Sequence, residues 1–134
     1  MIRDAPLNRT AIVLAALAAL IAGPAFAQES GQAQFLSTCS ACHQPTGLGI
    51  KGAFPALAGS AFVQGDATAV ATLVLNGRAG MPRFKADLTD QQIAAVLTYV
   101  RSAWGNHAGP VTPALVAAAR AHSSAAASQG LQAH

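Results

Sequence analysis

Cys39-Ser40-Ala41-Cys42-His43 is the stretch on which the fold turns. Two thiols stand one helical turn apart, so that both sulfurs reach the same side, and an imidazole follows directly. A redox-active dithiol uses the same Cys-x-x-Cys pair, but at a strand–helix junction of an α/β sheet, and the chain has no good run of alternating β-branched strands. A zinc site needs four ligands, and two cysteines with His43 leave it one short. Cys-x-x-Cys-His as a whole is the attachment signature of c-type haem. Each thiol adds to one vinyl group on a single edge of the macrocycle, and the histidine becomes an axial ligand of the iron. The sequence contains no other cysteine, so one haem accounts for both.

Upstream, Arg3 and Arg9 flank the start of a nearly unbroken Ala/Leu/Ile/Val run over residues 10–23, and Ala25-Phe26-Ala27 supplies the small residues of a cleavage site. This pattern predicts a secretory signal peptide over residues 1–27. The apolar run is short for a transmembrane helix of about 20 residues, and an uncleaved membrane anchor is the alternative. A mature chain from Gln28 is one domain by size, with a small apolar core that a bound apolar disc would enlarge. The expected location is the periplasm, with no membrane contact after cleavage. The formal net charge of +3 is too weak to point to nucleic acid.

Downstream the pattern is helical. Residues 29–40 read as a first helix, with Gly31 and Phe35 on one face. Residues 44–60 are rich in Gly and Pro and read as loop. Asp66 is placed to cap a helix that Asn76-Gly77 ends. Thr89 and Gln92 form a capping-box pattern, followed by Ile93, Val96, Leu97 and Val100 at helical spacing up to Trp104-Gly105-Asn106. Thr112-Pro113 opens a short final helix. The Ala/Ser/Gln stretch over residues 123–134 reads as a flexible tail.

A second iron ligand is also legible. After residue 27 the only methionine is Met81, set in Gly80-Met81-Pro82. A thioether sulfur is a soft donor that suits low-spin haem iron and raises its potential. Pro82 fixes the backbone after it, and Gly80 permits a close approach. His107, His122 and His134 read as surface histidines.

With these residues in place, the chain resembles a class I c-type cytochrome, a small monohaem electron carrier. The resemblance is carried by the haem motif, the Gly47-x-Gly49 turn, residues 54–59 (Phe-Pro-Ala-Leu-Ala-Gly), Gly80-Met81-Pro82 and residues 97–101 (Leu-Thr-Tyr-Val-Arg). It implies the all-α cytochrome c fold over residues 28–122, around one haem c bound through Cys39 and Cys42. It implies that the first and last core helices cross with Gly31, Phe35 and Tyr99 at the contact. It also implies that the Pro55 carbonyl accepts the ring N–H of His43 and orients it.

The stretch from Tyr99 to Pro113 is similar to the ends of cytochromes that serve quinoprotein dehydrogenases or are fused to copper nitrite reductases. Axial ligation by His43 and Met81 leaves no open iron position, which implies an electron carrier rather than an enzyme. Its expected partners are redox proteins: a dehydrogenase, a reductase or a terminal oxidase. A haem-bearing subunit of a dehydrogenase or reductase complex is the alternative to a free shuttle. Lys51, Arg78, Arg83 and Lys85 fall on the two loops expected beside the haem, either as a rim that steers an acidic partner or as plain solvated charge.

Overall fold

The computed structural model describes residues 23–131. Six helices follow one another: α1 (Gly23–Thr38), α2 (Ser40–His43), α3 (Ala61–Gln64), α4 (Ala67–Asn76), α5 (Asp90–Ser102) and α6 (Pro113–Leu131). Among the described residues there is no strand, only isolated antiparallel bridges between Ile50 and Phe54 and between Arg78 and Met81. The architecture is all-α, as the sequence implies.

Helix α5 is the element the sequence marks most clearly. Thr89 Oγ1 accepts from the Gln92 N–H at 3.2 Å, and Gln92 Oε1 accepts from the Thr89 N–H at 2.9 Å. The reciprocal pair satisfies two amides that a helix start leaves without partners. Ile93, Val96, Leu97 and Val100 are all buried on its inner face. Helix α4 is capped by Asp66, whose Oδ1 accepts from the Ala69 N–H at 2.7 Å, and it buries Val70, Ala71 and Leu75.

Helix α1 packs most extensively on α5. Gly31 stands at the crossing. A Cβ there would lie 2.2 Å from the Ala95 carbonyl oxygen and 2.9 Å from Tyr99 Cβ, so only a hydrogen lets the backbones approach this closely. One turn later Phe35 is fully buried. Its ring centroid lies 5.7 Å from that of Tyr99 and 4.9 Å from that of Trp104, and Tyr99 and Trp104 are 5.5 Å apart. Such tilted and edge-on pairs each add about 0.5–1.5 kcal/mol beyond the area they bury.

Two boundaries differ from the expectation. Helix α1 begins at Gly23 rather than Glu29 and runs through residues 25–27 without a break; residues 1–22 of the expected signal segment lie outside the described residues. Helix α6 does not stop near Arg120 but continues to Leu131. Alanine is the strongest helix former. The serines add local bonds, Ser123 Oγ to the Ala119 carbonyl at 2.9 Å and Ser124 Oγ to the Arg120 carbonyl at 3.0 Å. Residues 123–131 are therefore helical. No helix among the described residues is long and apolar enough to cross a membrane.

Replacing Gly31 by alanine should force α1 off α5 and lower stability by about 1–3 kcal/mol, the usual cost of overpacking. Gly109→Ala, where an added Cβ meets nothing within 4 Å, should change stability little. Chemical denaturation of the two variants checks the contrast, and equal midpoints would remove Gly31 from the helix crossing.

Candidate functional site

The cysteine motif hangs from the buried end of α1. The Cys39 N–H donates to the Phe35 carbonyl at 2.9 Å, and the Cys42 and His43 N–H groups both donate to the Cys39 carbonyl, at 3.2 and 3.0 Å. The two thiols and the imidazole thus ride on one turn whose root is held by the aromatic cluster. Both thiols are half-buried and form no disulfide. Burial pushes the Cys39 thiol up to about 11, with Cys42 adding in the same direction. A reactive dithiol has the opposite character, a thiol shifted towards thiolate. Among the described residues no group of three or more His, Cys, Asp or Glu side chains converges as a metal site.

His43 is buried, and its Nδ1 lies 2.9 Å from the Pro55 carbonyl oxygen. A carbonyl only accepts, so Nδ1 carries a proton, and the tautomer this contact favours is the one with Nε2 as the free nitrogen. The loop that delivers Pro55 is folded by its own backbone. Gly49 N donates to the His43 carbonyl at 2.9 Å, Leu57 N to the Gly47 carbonyl at 2.7 Å, and Ile50 and Phe54 exchange bonds at 2.9 and 2.8 Å.

The same loop is tied to the far end of α5 by residues that sequence reading marks only as a helix end. Trp104 Nε1 donates to the Pro45 carbonyl at 3.2 Å. Asn106, almost wholly buried, accepts from Gly59 N at 2.8 Å and donates to the carbonyls of Leu57 at 3.1 Å and Val100 at 2.9 Å. Arg101 is buried; its guanidinium donates to the carbonyls of Val63, Gly65 and Gly109 at 2.7, 2.9 and 3.0 Å. A lone polar residue directly after the chain's one Trp-Gly pair is the available signal for Asn106.

Met81 is half-buried and sits at the end of a tight turn. Its N–H donates to the Arg78 carbonyl at 2.9 Å, and Arg78 N donates back to the Met81 carbonyl at 3.2 Å. Protein packing demands glycine at position 77 rather than 80. A Cβ on Gly77, at φ 70°, would lie 2.6 Å from the Met81 carbonyl oxygen, whereas one on Gly80 meets no atom within 4 Å. The chain after Met81 returns to α4, with Phe84 N and Lys85 N donating to the carbonyls of Val74 and Leu75. His43 and Met81 are thus each delivered by a backbone-fixed segment, His43 as the last residue of α2 and Met81 in the turn that follows α4.

A haem fits the side chains around this turn. Leu36, Leu48, Ile50, Phe54 and Phe62 are large apolar residues left 36–65% exposed. Three of them belong to the loop that carries Pro55, and exposed apolar surface on a loop bonded to His43 is what a covalently held apolar disc would cover. An open groove of about 460 Å³ borders that loop between Leu48 and Ala56.

The four candidate rim cations do not behave alike. Lys51, Arg78 and Arg83 are exposed. Lys85 is half-buried and its Nζ donates to Ser124 Oγ at 2.6 Å, which ties its side chain to α6. His107 and His122 are exposed, as expected; His134 lies outside the described residues.

Comparison with known proteins agrees with this geometry. Residues 26–100 match the family described as cytochrome C oxidase, cbb3-type, subunit III. The cytochrome c-552 of Thermus thermophilus is 36% identical over 65% of this chain and 68% of its own length. The cytochrome c subunit of the quinone alcohol dehydrogenase of Gluconobacter oxydans is 31% identical over 78% of this chain, which spans 28% of that subunit. The gluconate 2-dehydrogenase cytochrome c subunit of Pantoea cypripedii is 31% identical over 76% of this chain and 26% of its own length. The chain belongs to this cytochrome c family, as a small class I c-type cytochrome with covalently bound haem c and a role in electron transfer.

Asn106→Ala should leave Gly59 N and the Val100 carbonyl without their partner and leave the Leu57 carbonyl with only its Ser60 donor, at a cost of about 1–3 kcal/mol for each orphaned group that water does not reach. A fall in the denaturation midpoint well beyond that of an exposed-residue control such as Gln91→Ala checks this. A midpoint matching the control would show that the loop does not depend on the asparagine.

Proposed function

We propose that this chain is an exported monohaem cytochrome that passes single electrons from a dehydrogenase to an acceptor, with Cys39 and Cys42 as thioether anchors and His43 and Met81 as the axial pair. One observation carries the reading: the contact between His43 Nδ1 and the Pro55 carbonyl at 2.9 Å, beside two half-buried thiols on the same turn. That bond presents Nε2 as the ligating nitrogen and makes the ring a better donor.

Haem, when bound, supplies a one-electron couple whose potential follows its axial ligands and its burial. The chain's residues do the rest. Met81 offers a soft thioether that favours the reduced state. Leu48, Ile50 and Phe54 would keep water from a bound haem. The turn closed by Arg78 and Met81 holds the sulfur on a short backbone tether. Filling both axial positions excludes substrate from the iron, which supports electron transfer over catalysis.

Two of the relatives are dehydrogenase subunits, and this supports a dehydrogenase as donor. Membership of such a complex is the second reading, and co-purification separates it from a free shuttle. The exposed cations support an acidic docking partner. Of the Lys and Arg side chains among the described residues, Arg101 is buried and Arg120 is paired with Asp90 at 2.8 Å, so the fully exposed positive charge lies at Lys51, Arg78 and Arg83. Cleavage after Ala27 and a periplasmic location complete the proposal.

Met81→Ala should leave haem attached, because the thioethers do not involve the sixth ligand, and should lower the potential while opening the iron to carbon monoxide. Redox titration and gas binding to the reduced protein check both; an unchanged potential without carbon monoxide binding would mean that another residue is the ligand.

Reversing Lys51, Arg78 and Arg83 together to glutamate should slow association with an acidic partner and weaken or invert the salt response. Screening acts over a Debye length of about 8 Å at physiological ionic strength. Stopped-flow rates across a salt series test this, and salt-independent rates in both proteins would reduce the three residues to ordinary surface charge.

A further inference from the structure

Helix α6 is more than a cover for the core. Val116 and Ala119 are buried on its inner face, and the helix packs on both α4 and α5. Its next residue, Arg120, reaches across to the segment after Met81. The guanidinium holds three acceptors at once. Nε donates to Asp90 Oδ1 at 2.8 Å, Nη1 donates to the Lys85 carbonyl, and Nη2 donates to the Leu88 carbonyl at 3.0 Å. Two further bonds run between the same helix and the same region: Lys85 Nζ to Ser124 Oγ at 2.6 Å and Asn76 Nδ2 to Ser123 Oγ at 3.0 Å.

Only a planar fork can make the Arg120 contacts together, since its donors point in fixed directions towards two carbonyls and a carboxylate. The segment from residue 82 to residue 88 is held from two sides. On one side it is bonded to the end of α4 through Phe84 N and Lys85 N, and its own turn is closed by Asp87 N and Leu88 N on the Phe84 carbonyl. Arg120 supplies the restraint on the opposite side and links it to the start of α5, where Asp90 is the first helical residue. Met81 stands at the head of this segment. Pro82 joins the two, and its fixed φ couples the position of Met81 to that of residues 83–88.

We infer that Arg120 is a positioning residue: from α6 it clamps the 82–88 segment and thereby holds the Met81 sulfur in place. The inference rests on the reading of Met81 as the axial ligand. It assigns α6 a part in electron transfer, since a sulfur held without slack keeps the iron closed and its coordination unchanged between oxidation states.

The experiment compares haem-loaded full-length wild type with Arg120→Ala, Arg120→Lys and Met81→Ala. Amide hydrogen exchange at Lys85 and Leu88 reads the clamp. Carbon monoxide association with the reduced protein, and the long-wavelength sulfur-to-iron absorption of the oxidised protein, read the sulfur. In Arg120→Ala, exchange at Lys85 and Leu88 should rise about tenfold or more, as loss of hydrogen bonds from a charged donor implies, while Ile93 and Val96 in α5 keep their protection. Carbon monoxide should bind several-fold faster and the sulfur band should weaken. Lysine keeps the charge but not the fork, so Arg120→Lys should rescue little.

Three results would overturn the inference. Exchange at Lys85 and Leu88 that rises no more than that of α5 would make Arg120 a general stabiliser. Faster loop exchange with an unchanged sulfur band and unchanged gas binding would detach the clamp from Met81. A sulfur band that survives Met81→Ala would sink the ligand reading and the inference with it; because that variant retains Arg120, this failure is distinguishable from the other two.

Discussion

The close crossing of α1 and α5 at Gly31 sets where every other element can lie. Helices separated by ordinary side chains stand 8–10 Å apart, and here a missing Cβ lets the Ala95 carbonyl sit against the glycine. That approach brings Phe35, Tyr99 and Trp104 into one cluster. Phe35 also accepts the Cys39 amide through its carbonyl, so the haem motif starts from a fully buried point of the core. Trp104 in turn reaches Pro45, on the far side of the motif. The turn that carries both thiols and the imidazole is therefore framed at its beginning and at its exit by the same helix pair.

The features legible in the sequence are those that depend on neighbours along the chain. The capping box of α5, the Asp66 cap, the Thr112-Pro113 start and the apolar stripe from Ile93 to Val100 are local patterns, and each is present in the fold at the expected residues. The haem motif is local as well. Less is legible where a role depends on distant partners. Asn106 resembles a simple helix terminus because its three bonds go to Leu57, Gly59 and Val100, only the last of which is near in sequence. Glycine at position 77 is required by the return path of the Met81 loop, which spacing alone does not reveal. Residues 123–131 read as a tail because Ala and Ser carry no apolar pattern, yet helix propensity continues α6 through them, and Ser123 and Ser124 bond Asn76 and Lys85.

Charge is used in two ways. Arg101 is buried and directs its donors to backbone carbonyls, whereas Arg120 divides its donors between two carbonyls and Asp90. Lys51, Arg78 and Arg83 stay exposed on the loops that carry Pro55 and Met81.

The ties between the motif loop and the end of α5 span long stretches of chain: 59 positions from Pro45 to Trp104 and 47 from Gly59 to Asn106. Closing a loop of that size costs entropy that only the finished contacts offset. The turn that bears Cys39, Cys42 and His43 therefore takes its final surroundings with the global fold and not by local closure, because its exit is fixed only when both ends of the core have met.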